Sequence, residues 1–470
     1  MTSPSTSNDH RCLNLISKCK SLENLKQIHA QFLTTGLSHH TFPLSKLLHL
    51  SSTVCLSYAL TIFRRIPNPS VFLYNTLISS IVSNHQSTQT HLAFSLYARI
   101  LTSRSAAIRP NQFTYPSLSK ASGFHPRWHR HGRALHAHVL KFIEPVNHDR
   151  FVQAALVGFY ANCGKLRAAR SLFDRIIKPD LATWNTLLSA YANSGDGENE
   201  NDLGLSEEVL RLFVEMQRSS LVRPNELTLV ALIKSCANLG DLCGGVWAHA
   251  YLLKNNLSLN QFVGTSLIDL YSKCGSLSYA RKVFDEMPVR DTSCYNAMIR
   301  GLAVHGFGQE AIGFYKNLIS QGLIPDDATF VVTISACSHS GLVDEGLRIF
   351  SSMEAVYGIE PKVEHYGCLV DLLGRSGRLE EAEECIEKMP MKPNAMLWRS
   401  FLGSAQVHGD LERGEIALKH LLGLEFENSG NYVLLSNIYA GVDRWTDVEK
   451  TRELMKDHRV NKSPGISTIN

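Results

Sequence analysis

The chain has 470 residues, of which 44% are hydrophobic and 19% are charged, and this composition excludes an intrinsically disordered protein. No stretch approaches the ~18 consecutive apolar residues that a membrane-spanning helix needs. The net charge of +4 permits an anionic partner, although a protein that binds only through many phosphate contacts would usually be more basic.

The first segment, residues 1–8, is a short leader that is rich in Ser and Thr and has no charged side chain. Organelle transit peptides are Ser-rich and poor in acidic residues, but they usually carry Arg, and the first Arg here is Arg11. Two interpretations of this leader therefore stay open, a targeting signal and a disordered tail.

From residue 9 to about residue 462 the sequence repeats, with an average unit of about 35 residues. Residues 150–180 align without a gap with residues 261–291, and residues 363–394 are a further copy. Each copy predicts two short amphipathic helices, because apolar residues recur at helical spacing. One such pair cannot bury its apolar stripe alone, so the repeats are expected to stack.

The unit at 261–291 shows how these helices are predicted to begin and end. Gly275 should end the first helix, since a left-handed backbone suits glycine, and Ser276 should cap the second helix. Pro288 should stop the second helix. The residues predicted to form the buried stripes are Val263, Leu267, Leu270 and Tyr271 in the first helix, and Leu277, Ala280, Val283, Phe284 and Met287 in the second.

The unit at 181–225 is longer because it contains an acidic insert, GDGENEND, at residues 195–202. Insertions in repeat proteins map to loops, so the insert is predicted to be a solvated loop between the two helices. Ser206, followed by two Glu residues, is predicted to begin the second helix.

Several segments resemble pentatricopeptide repeats, among them YNTLIS at 74–79, WNTLLSAYANSG at 184–195 and YNAMIRG at 295–301. Units of three types alternate, which resembles the P, L and S motifs of the PLS subclass of plant pentatricopeptide repeat proteins. Residues 397–445 closely resemble the E motifs that follow the last PLS triplet in the E subgroup. The resemblance implies an all-α fold, a right-handed superhelical solenoid of stacked helix-turn-helix repeats similar to tetratricopeptide repeats.

Under this resemblance the chain has four parts: the leader at 1–8, an array of about 11 repeats at 9–394, two E motifs at 395–462, and a C-terminal tail at 463–470. The S units are then 41–70, 150–180, 261–291 and 363–394, the P units are 71–111, 181–225 and 292–326, and the L units are 9–40, 112–149, 226–260 and 327–362.

The resemblance implies binding of single-stranded RNA at roughly one base per repeat. In the family, the fifth and last residues of a motif face one base edge, a task that suits Asn because its amide is both donor and acceptor. The implied base-reading residues are Asn75, Asn111, Asn185, Asn225, Thr265, Asp291, Asn296 and Asp326. Weaker contacts are implied at Phe72, Phe151 and Phe262, which hold the second position and can stack on a base, and at Asp180 and Asn394.

By the same resemblance, Asn–Asn pairs prefer pyrimidines, the Thr–Asp pair prefers guanine and the Asn–Asp pair prefers uracil, with motif order running 5′ to 3′. For a single Asn the alternative is a residue that stabilises the start of a helix. Asn recurs at the same offset in three P units, and this recurrence favours base reading. The L units carry Pro116, Val230 and Val331 at the fifth position and are expected to read little.

Catalytic and metal sites are not expected. Some relatives end in a DYW-type deaminase domain, which needs an H-x-E and a C-x-x-C, and neither motif occurs among the twenty histidines and eleven cysteines. The scattered cysteines indicate a reducing compartment. The histidine-rich stretch from His125 to His138 is not expected to bind a metal, because His29, His136 and His249 hold one consensus place in three L units. No cofactor is implied.

Three functions compete on this basis. The first is a site-recognition factor for C-to-U editing of transcripts in a mitochondrion or plastid, which recruits a DYW-type deaminase-bearing protein in trans through its E motifs. The second is an organelle RNA-binding factor that acts in transcript stability, splicing or translation without editing. The third is a protein-binding scaffold of the tetratricopeptide kind, which the columns of Asn and Asp argue against. No membrane partner is expected.

Overall fold

The computed structural model describes residues 21–85, 89–103, 105, 108–142, 150–194, 200–219, 222–425, 428–458 and 460, together with Ile16 and Cys19. The leader at 1–8 and the tail at 463–470 lie outside this part of the chain. The described residues include 25 α-helices and two short 3₁₀ helices, and they contain no β-strand. The predicted all-α class is confirmed.

The helices follow one another in pairs along the chain. In the first half they are α1 (Leu22–Thr34), α2 (Thr41–Val54), α3 (Leu56–Arg64), α4 (Val71–His85), α5 (Thr90–Thr102), α6 (Thr114–Gly123), α7 (His129–Phe142), α8 (Arg150–Asn162), α9 (Leu166–Phe173), α10 (Leu181–Ser194), α11 (Glu200–Arg218) and α12 (Glu226–Leu239). The 3₁₀ helices are Leu37–His39 and Pro126–Trp128. In the second half they are α13 (Leu242–Lys254), α14 (Gln261–Lys273), α15 (Leu277–Glu286), α16 (Thr292–Val304), α17 (Gly308–Ser320), α18 (Asp327–His339), α19 (Val343–Ala355), α20 (Val363–Arg375), α21 (Leu379–Lys388), α22 (Ala395–His408), α23 (Leu411–Leu424), α24 (Ser429–Gly441) and α25 (Trp445–Asp457).

The chain divides into two compact units, residues 1–235 and residues 236–470. In the first unit, the first helices of successive repeats pack side by side in the order α2, α4, α6, α8 and α10, and each contacts the second helix of its own repeat. The second unit repeats this arrangement with α14, α16, α18, α20 and α22. The predicted solenoid of stacked helix-turn-helix repeats is confirmed. No helix in the described ranges is long and apolar enough to cross a membrane.

The unit at 261–291 confirms most of the predicted helix ends. Gly275 has φ +74° two residues after the end of α14, and all the residues of both predicted stripes are buried. The capping role predicted for Ser276 is wrong, because Ser276 precedes α15 but its side chain makes no capping hydrogen bond. Its backbone N–H donates to the carbonyl of Tyr271 at 2.7 Å, and its ψ of 56° departs from the extended backbone that a capping side chain usually requires.

The loop predicted at 195–202 is too long. Helix α11 begins at Glu200, so residues 200–202 belong to the helix, and Ser206 is a buried residue inside it. The apolar stripe explains the difference, because Leu205 already packs against the buried cluster that contains Val209. Residues 195–199 lie outside the described part of the chain.

The consensus histidines of the L units join neighbouring helices. The pairs are His29 with Tyr58, His136 with Tyr160 and His249 with Tyr271, and in each pair Nδ1 lies 2.9 Å from the tyrosine hydroxyl. Burial is the main cause that lowers the pKa of each imidazole, so these rings are neutral at pH 7. Within the described ranges no group of three metal-ligating side chains lies close enough to hold an ion.

Candidate nucleic-acid interface

The predicted base-reading residues lie where the first helix of one unit packs beside the first helix of the next. The last residue of a unit stands at the start of the following helix, where backbone N–H groups have no partner within the helix. Asp326 shows the geometry, since its Oδ1 accepts from the backbone N–H of Thr329 at 2.8 Å. The other last residues that accept such a bond are Asn111, Asp180, Asn225, Asn260, Asp291 and Asn394. The side chain of the last residue therefore stabilises the start of a helix and also faces the fifth residue of its own unit.

In the P unit 181–225 the two Asn side chains are bonded to each other. Nδ2 of Asn185 donates to Oδ1 of Asn225 at 3.0 Å, and Oγ1 of Thr228 donates to Oδ1 of Asn185 at 2.6 Å. Asn185 is only 5% exposed, whereas Asn225 is half-buried. Among the described residues, Nδ2 of Asn225 has no hydrogen-bond partner, and it is the donor that this pair still offers to a ligand.

The P unit 71–111 has the same arrangement. Nδ2 of Asn75 donates to Oδ1 of Asn111 at 2.9 Å, and Oγ1 of Thr114 donates to Oδ1 of Asn75 at 2.8 Å. The structure thus brings both predicted Asn–Asn pairs together, with the fifth residue as the buried member.

The P unit 292–326 differs in one bond. Nδ2 of Asn296 donates to Oδ1 of Asp326 at 3.1 Å, but Oγ1 of Thr329 donates to the same carboxylate oxygen at 2.7 Å. Oδ1 of Asn296 is buried and accepts no hydrogen bond from the described residues. Burial alone would raise the pKa of Asp326, but the hydrogen bonds from Thr329 and Asn296 outweigh it and hold this pKa below its ordinary value. The carboxylate is therefore charged at neutral pH, and an empty acceptor lies beside it.

The pair in the S unit 261–291 is joined through a third side chain. The hydroxyl of Thr265 lies 3.3 Å from Sγ of Cys294, which in turn lies 3.1 Å from Oδ1 of Asp291. Burial is the main cause that raises the pKa of the Cys294 thiol, so the thiol stays protonated and donates to the carboxylate. The single proton of the Cys294 thiol is used in the bond to Asp291. The hydroxyl of Thr265 is therefore the donor in its contact with the sulfur. No direct hydrogen bond joins the side chains of Thr265 and Asp291.

An open cavity of about 650 Å³ lies in front of Asn185, within the size range of small-ligand sites. Asn225 lines it, together with Ala182 and Leu227, which hold the second positions of two successive units. The polar pair and two second-position side chains therefore line one cavity.

The S unit 363–394 has a second cavity, of about 410 Å³, at the equivalent place. Gly367 holds the fifth position, and a β-carbon there would meet no atom within 4 Å, so glycine leaves the space open. Asn394 lines this cavity while its Oδ1 accepts from the backbone N–H of Leu397 at 2.9 Å.

In the S unit 150–180, Asp180 has no polar partner at the fifth position, because Ala154 stands there. The carboxylate of Asp180 is bonded to Thr183 instead.

The three predicted stacking residues, Phe72, Phe151 and Phe262, are each more than half exposed. Exposed large apolar side chains at a repeated position indicate a binding surface. The sequence interpretation missed Phe42 and Phe113, which hold the same second position and are also more than half exposed. Counting two residues on from each unit's last residue finds them.

The sequence interpretation also missed the third residue of the L units. Thr114, Thr228 and Thr329 all hold this position, and all three hydroxyls contact the last residue of the preceding P unit. The signal was visible as the recurrent Thr in QFT, ELT and DAT at the starts of three L units.

Comparisons with family models give two kinds of match. Residues 182–203, 265–291, 293–323, 328–355 and 364–393 match the model of the PPR repeat. Residues 408–470 match the model of the E motif.

Curated proteins of Arabidopsis thaliana are similar over nearly the whole chain. "Pentatricopeptide repeat-containing protein At5g43790" is 84% identical over 470 residues, which is 100% of both chains. "Pentatricopeptide repeat-containing protein ELI1, chloroplastic" is 39% identical over 97% of this chain and 74% of its own length. "Pentatricopeptide repeat-containing protein At1g59720, chloroplastic/mitochondrial" is 36% identical over 99% and 73%.

Among solved structures, the crystal structure of the pentatricopeptide repeat protein PPR10 in complex with an 18-nt psaJ RNA element is similar, with a TM-score of 0.70 and 17% identity. The match covers 93% of this chain and 64% of that one. The crystal structure of the pentatricopeptide repeat protein PPR10 from maize has a TM-score of 0.62. At this identity the similarity shows the fold alone.

Proposed function

This chain belongs to the plant pentatricopeptide repeat proteins that carry an E motif, and on that premise we propose that it recognises a single-stranded RNA by sequence. The proposed role is that of a site-recognition factor for C-to-U editing of a transcript in a mitochondrion or plastid. The protein contributes no catalytic site of its own to this reaction. Its E motifs recruit a DYW-type deaminase-bearing protein in trans.

The observation that carries RNA recognition is one polar pair, repeated at one place in three P units. In each unit an Asn that is at most 9% exposed donates to the more exposed last residue, at 2.9 to 3.1 Å. Such pairs leave a few fixed donors and acceptors at the surface, which is what reading an unstacked base edge requires. A protein-binding groove would not need the same polar pair at every third unit.

The charge beside the first cavity supports a nucleic-acid ligand. Nζ of Lys234 lies 3.0 Å from Oδ1 of Asn193, and Asn193 lines the cavity in front of Asn185. A cation at this edge suits a phosphate of the RNA backbone. Because the net charge is only +4, base contacts rather than phosphate contacts must supply much of the affinity.

The proposed editing role rests on the E motif, and the proposed location in an organelle rests on the names of the relatives. The E motif match covers residues 408–470, which follow the last repeat match at 364–393 along the chain. Two relatives are named chloroplastic or chloroplastic/mitochondrial, which supports an organelle transcript as the target.

The test is a comparison of organelle transcripts, by RNA sequencing, between a null mutant and its parent. We expect loss of C-to-U conversion at one or a few cytidines, restored by the wild-type chain and not by a chain in which Asn185 and Asn296 are both replaced by Ala. Unchanged editing with altered transcript abundance or splicing would replace the editing role by the second function. Unchanged transcripts in every respect would overturn the proposal.

The register of recognition has its own test in vitro. Replacing Thr265 by Asn turns the Thr–Asp pair of unit 261–291 into an Asn–Asp pair like that of unit 292–326. In competition between RNAs that differ at one nucleotide, the preference should move from G towards U. An unmoved preference would show that this pair does not read that base.

A further inference from the structure

The third residue of each L unit that follows a P unit is a threonine whose hydroxyl lies between the two base-reading residues of that P unit. Its oxygen accepts from the backbone N–H of the last residue, at 3.0 Å for Thr114, 3.2 Å for Thr228 and 3.1 Å for Thr329. A hydroxyl has a single proton to donate. The proton can therefore be given to the fifth residue or to the last residue, and not to both at full strength.

The direction of this proton differs between the P units. Thr228 lies closer to Oδ1 of Asn185, at 2.6 Å, than to Oδ1 of Asn225, at 3.0 Å. Thr114 has the same preference for the fifth residue, with 2.8 Å against 3.2 Å. Thr329 donates to the carboxylate of the last residue at 2.7 Å. A charged acceptor forms the stronger bond, so an Asp at the last position captures the proton that an Asn there does not.

The consequence is a different unpaired atom in each kind of pair. Where the proton goes to the carboxylate, Oδ1 of Asn296 is left buried without a donor among the described residues, and Asn296 is only 4% exposed. Where the proton goes to the fifth residue, Oδ1 of Asn185 is occupied and Nδ2 of Asn225 is the group left over. The first arrangement leaves an acceptor unpaired and the second leaves a donor unpaired.

From these contacts we propose that the third residue of the L unit is a specificity-determining positioning residue of the preceding P unit, which it serves by donating its hydroxyl proton to the fifth or to the last residue. An empty acceptor suits a base with an N3–H donor, such as uracil. An occupied acceptor with a free amide suits a base with an N3 acceptor, such as cytosine. The inference rests on the proposed function, because it concerns which RNA base is preferred.

The experiment uses the full chain and a pool of single-stranded RNA randomised at every position, sequenced before and after binding. Replacing Thr228 by Val removes the proton from Oδ1 of Asn185 without a large change of shape. The ratio of U to C at one position of the selected RNA should rise about three- to tenfold, the effect of one hydrogen bond. Thr228→Ser keeps the hydroxyl and should leave the ratio unchanged.

Two further variants separate this role from a structural one. Thr329→Val should not raise the U to C ratio at any position, because Oδ1 of Asn296 is already empty in the wild type. Asn225→Asp should reproduce the shift of Thr228→Val by drawing the proton to the introduced carboxylate. The double variant should then shift little more than either single variant, whereas independent effects would add.

The outcomes distinguish the two proposals. A wild-type chain that selects no RNA from the pool overturns the proposed function and this inference with it. Selection by the wild type with a U to C ratio that Thr228→Val leaves unchanged overturns the inference alone. Additive shifts in the Thr228→Val and Asn225→Asp pair would also overturn it. If circular dichroism shows that Thr228→Val does not fold, the same cycle is carried out with Thr114→Val and Asn111→Asp, and the same outcomes decide.

Discussion

Replacing Asn296 by Asp tests whether the fifth and last residues of a P unit act as one electrostatic unit. Asn296 is 4% exposed and its Nδ2 lies 3.1 Å from Oδ1 of Asp326, so the substitution places two carboxylates at hydrogen-bond distance. At this distance, with an effective dielectric constant of about 20, two unit charges repel by roughly 5 kcal/mol. The pair can avoid this repulsion by taking up one proton, which costs about 1.4 kcal/mol for each pH unit above an ordinary Asp pKa. The loss of folding stability at pH 7 is therefore limited to roughly 4 kcal/mol.

The sign of the pH dependence follows from this proton. One carboxyl of the pair should have a pKa above the unfolded value of about 3.9. Between that value and the raised pKa, the folded chain binds more protons than the unfolded chain. The free energy of unfolding therefore falls as the pH rises through this window and recovers on acidification.

Asn185→Asp is the matched control, since it makes the same substitution at the same position of another P unit. Its partner Asn225 is neutral and can turn its amide to donate to the new carboxylate, and Thr228 already donates to that site. We expect little loss of stability and no loss that grows with pH. Both variants keep the side-chain volume, so packing does not separate them.

Urea unfolding followed by circular dichroism, at about pH 5 and about pH 8, measures the effect in the two variants and the wild type. The expected result is a large loss for Asn296→Asp at the higher pH that shrinks at the lower pH, and a small change for Asn185→Asp at both. Equal pH profiles for the two variants would refute the reasoning, because they would show that the charge of Asp326 does not act on the fifth position.

Three further outcomes are expected. Phe262→Ala should weaken RNA binding, measured by fluorescence anisotropy, by about 1–3 kcal/mol, because one base loses its stacking on an aromatic ring. Its midpoint of thermal unfolding should stay unchanged, because Phe262 is 74% exposed. Gly245→Ala should lower stability in urea by about 1–3 kcal/mol, since its β-carbon would overlap a leucine of α14, whereas Gly313→Ala, with open space around it, should be neutral or stabilise by up to about 1 kcal/mol. Burial is the main cause that lowers the pKa of His249, so the unfolded chain binds this proton more readily and stability falls as the pH drops below about 6.5. His249→Gln should flatten that acid slope in pH-dependent unfolding, and an unaltered slope would contradict a neutral imidazole bonded to Tyr271.

The sequence by itself determined the features that depend on local physics. Apolar residues at helical spacing predicted the paired helices, and Gly275 marked a helix end because only glycine readily adopts the left-handed backbone found there. The columns of Asn and Asp at a constant offset identified the residues that the structure brings together in three P units. The prediction was less accurate for the start of α11 and for Ser276, where contacts with other residues decide.

The tertiary structure decided how these side chains are arranged. The residues of each pair are 30 to 40 positions apart, so their hydrogen bonds exist only after neighbouring units have stacked. Stacking buries Asn296 and leaves its side-chain oxygen without a donor among the described residues. It also places the hydroxyl of Thr329 where its proton must go either to Asn296 or to Asp326. Which of the three side chains holds this proton depends on the distances between them. The periodicity of the sequence does not predict those distances, because they arise only when neighbouring units pack.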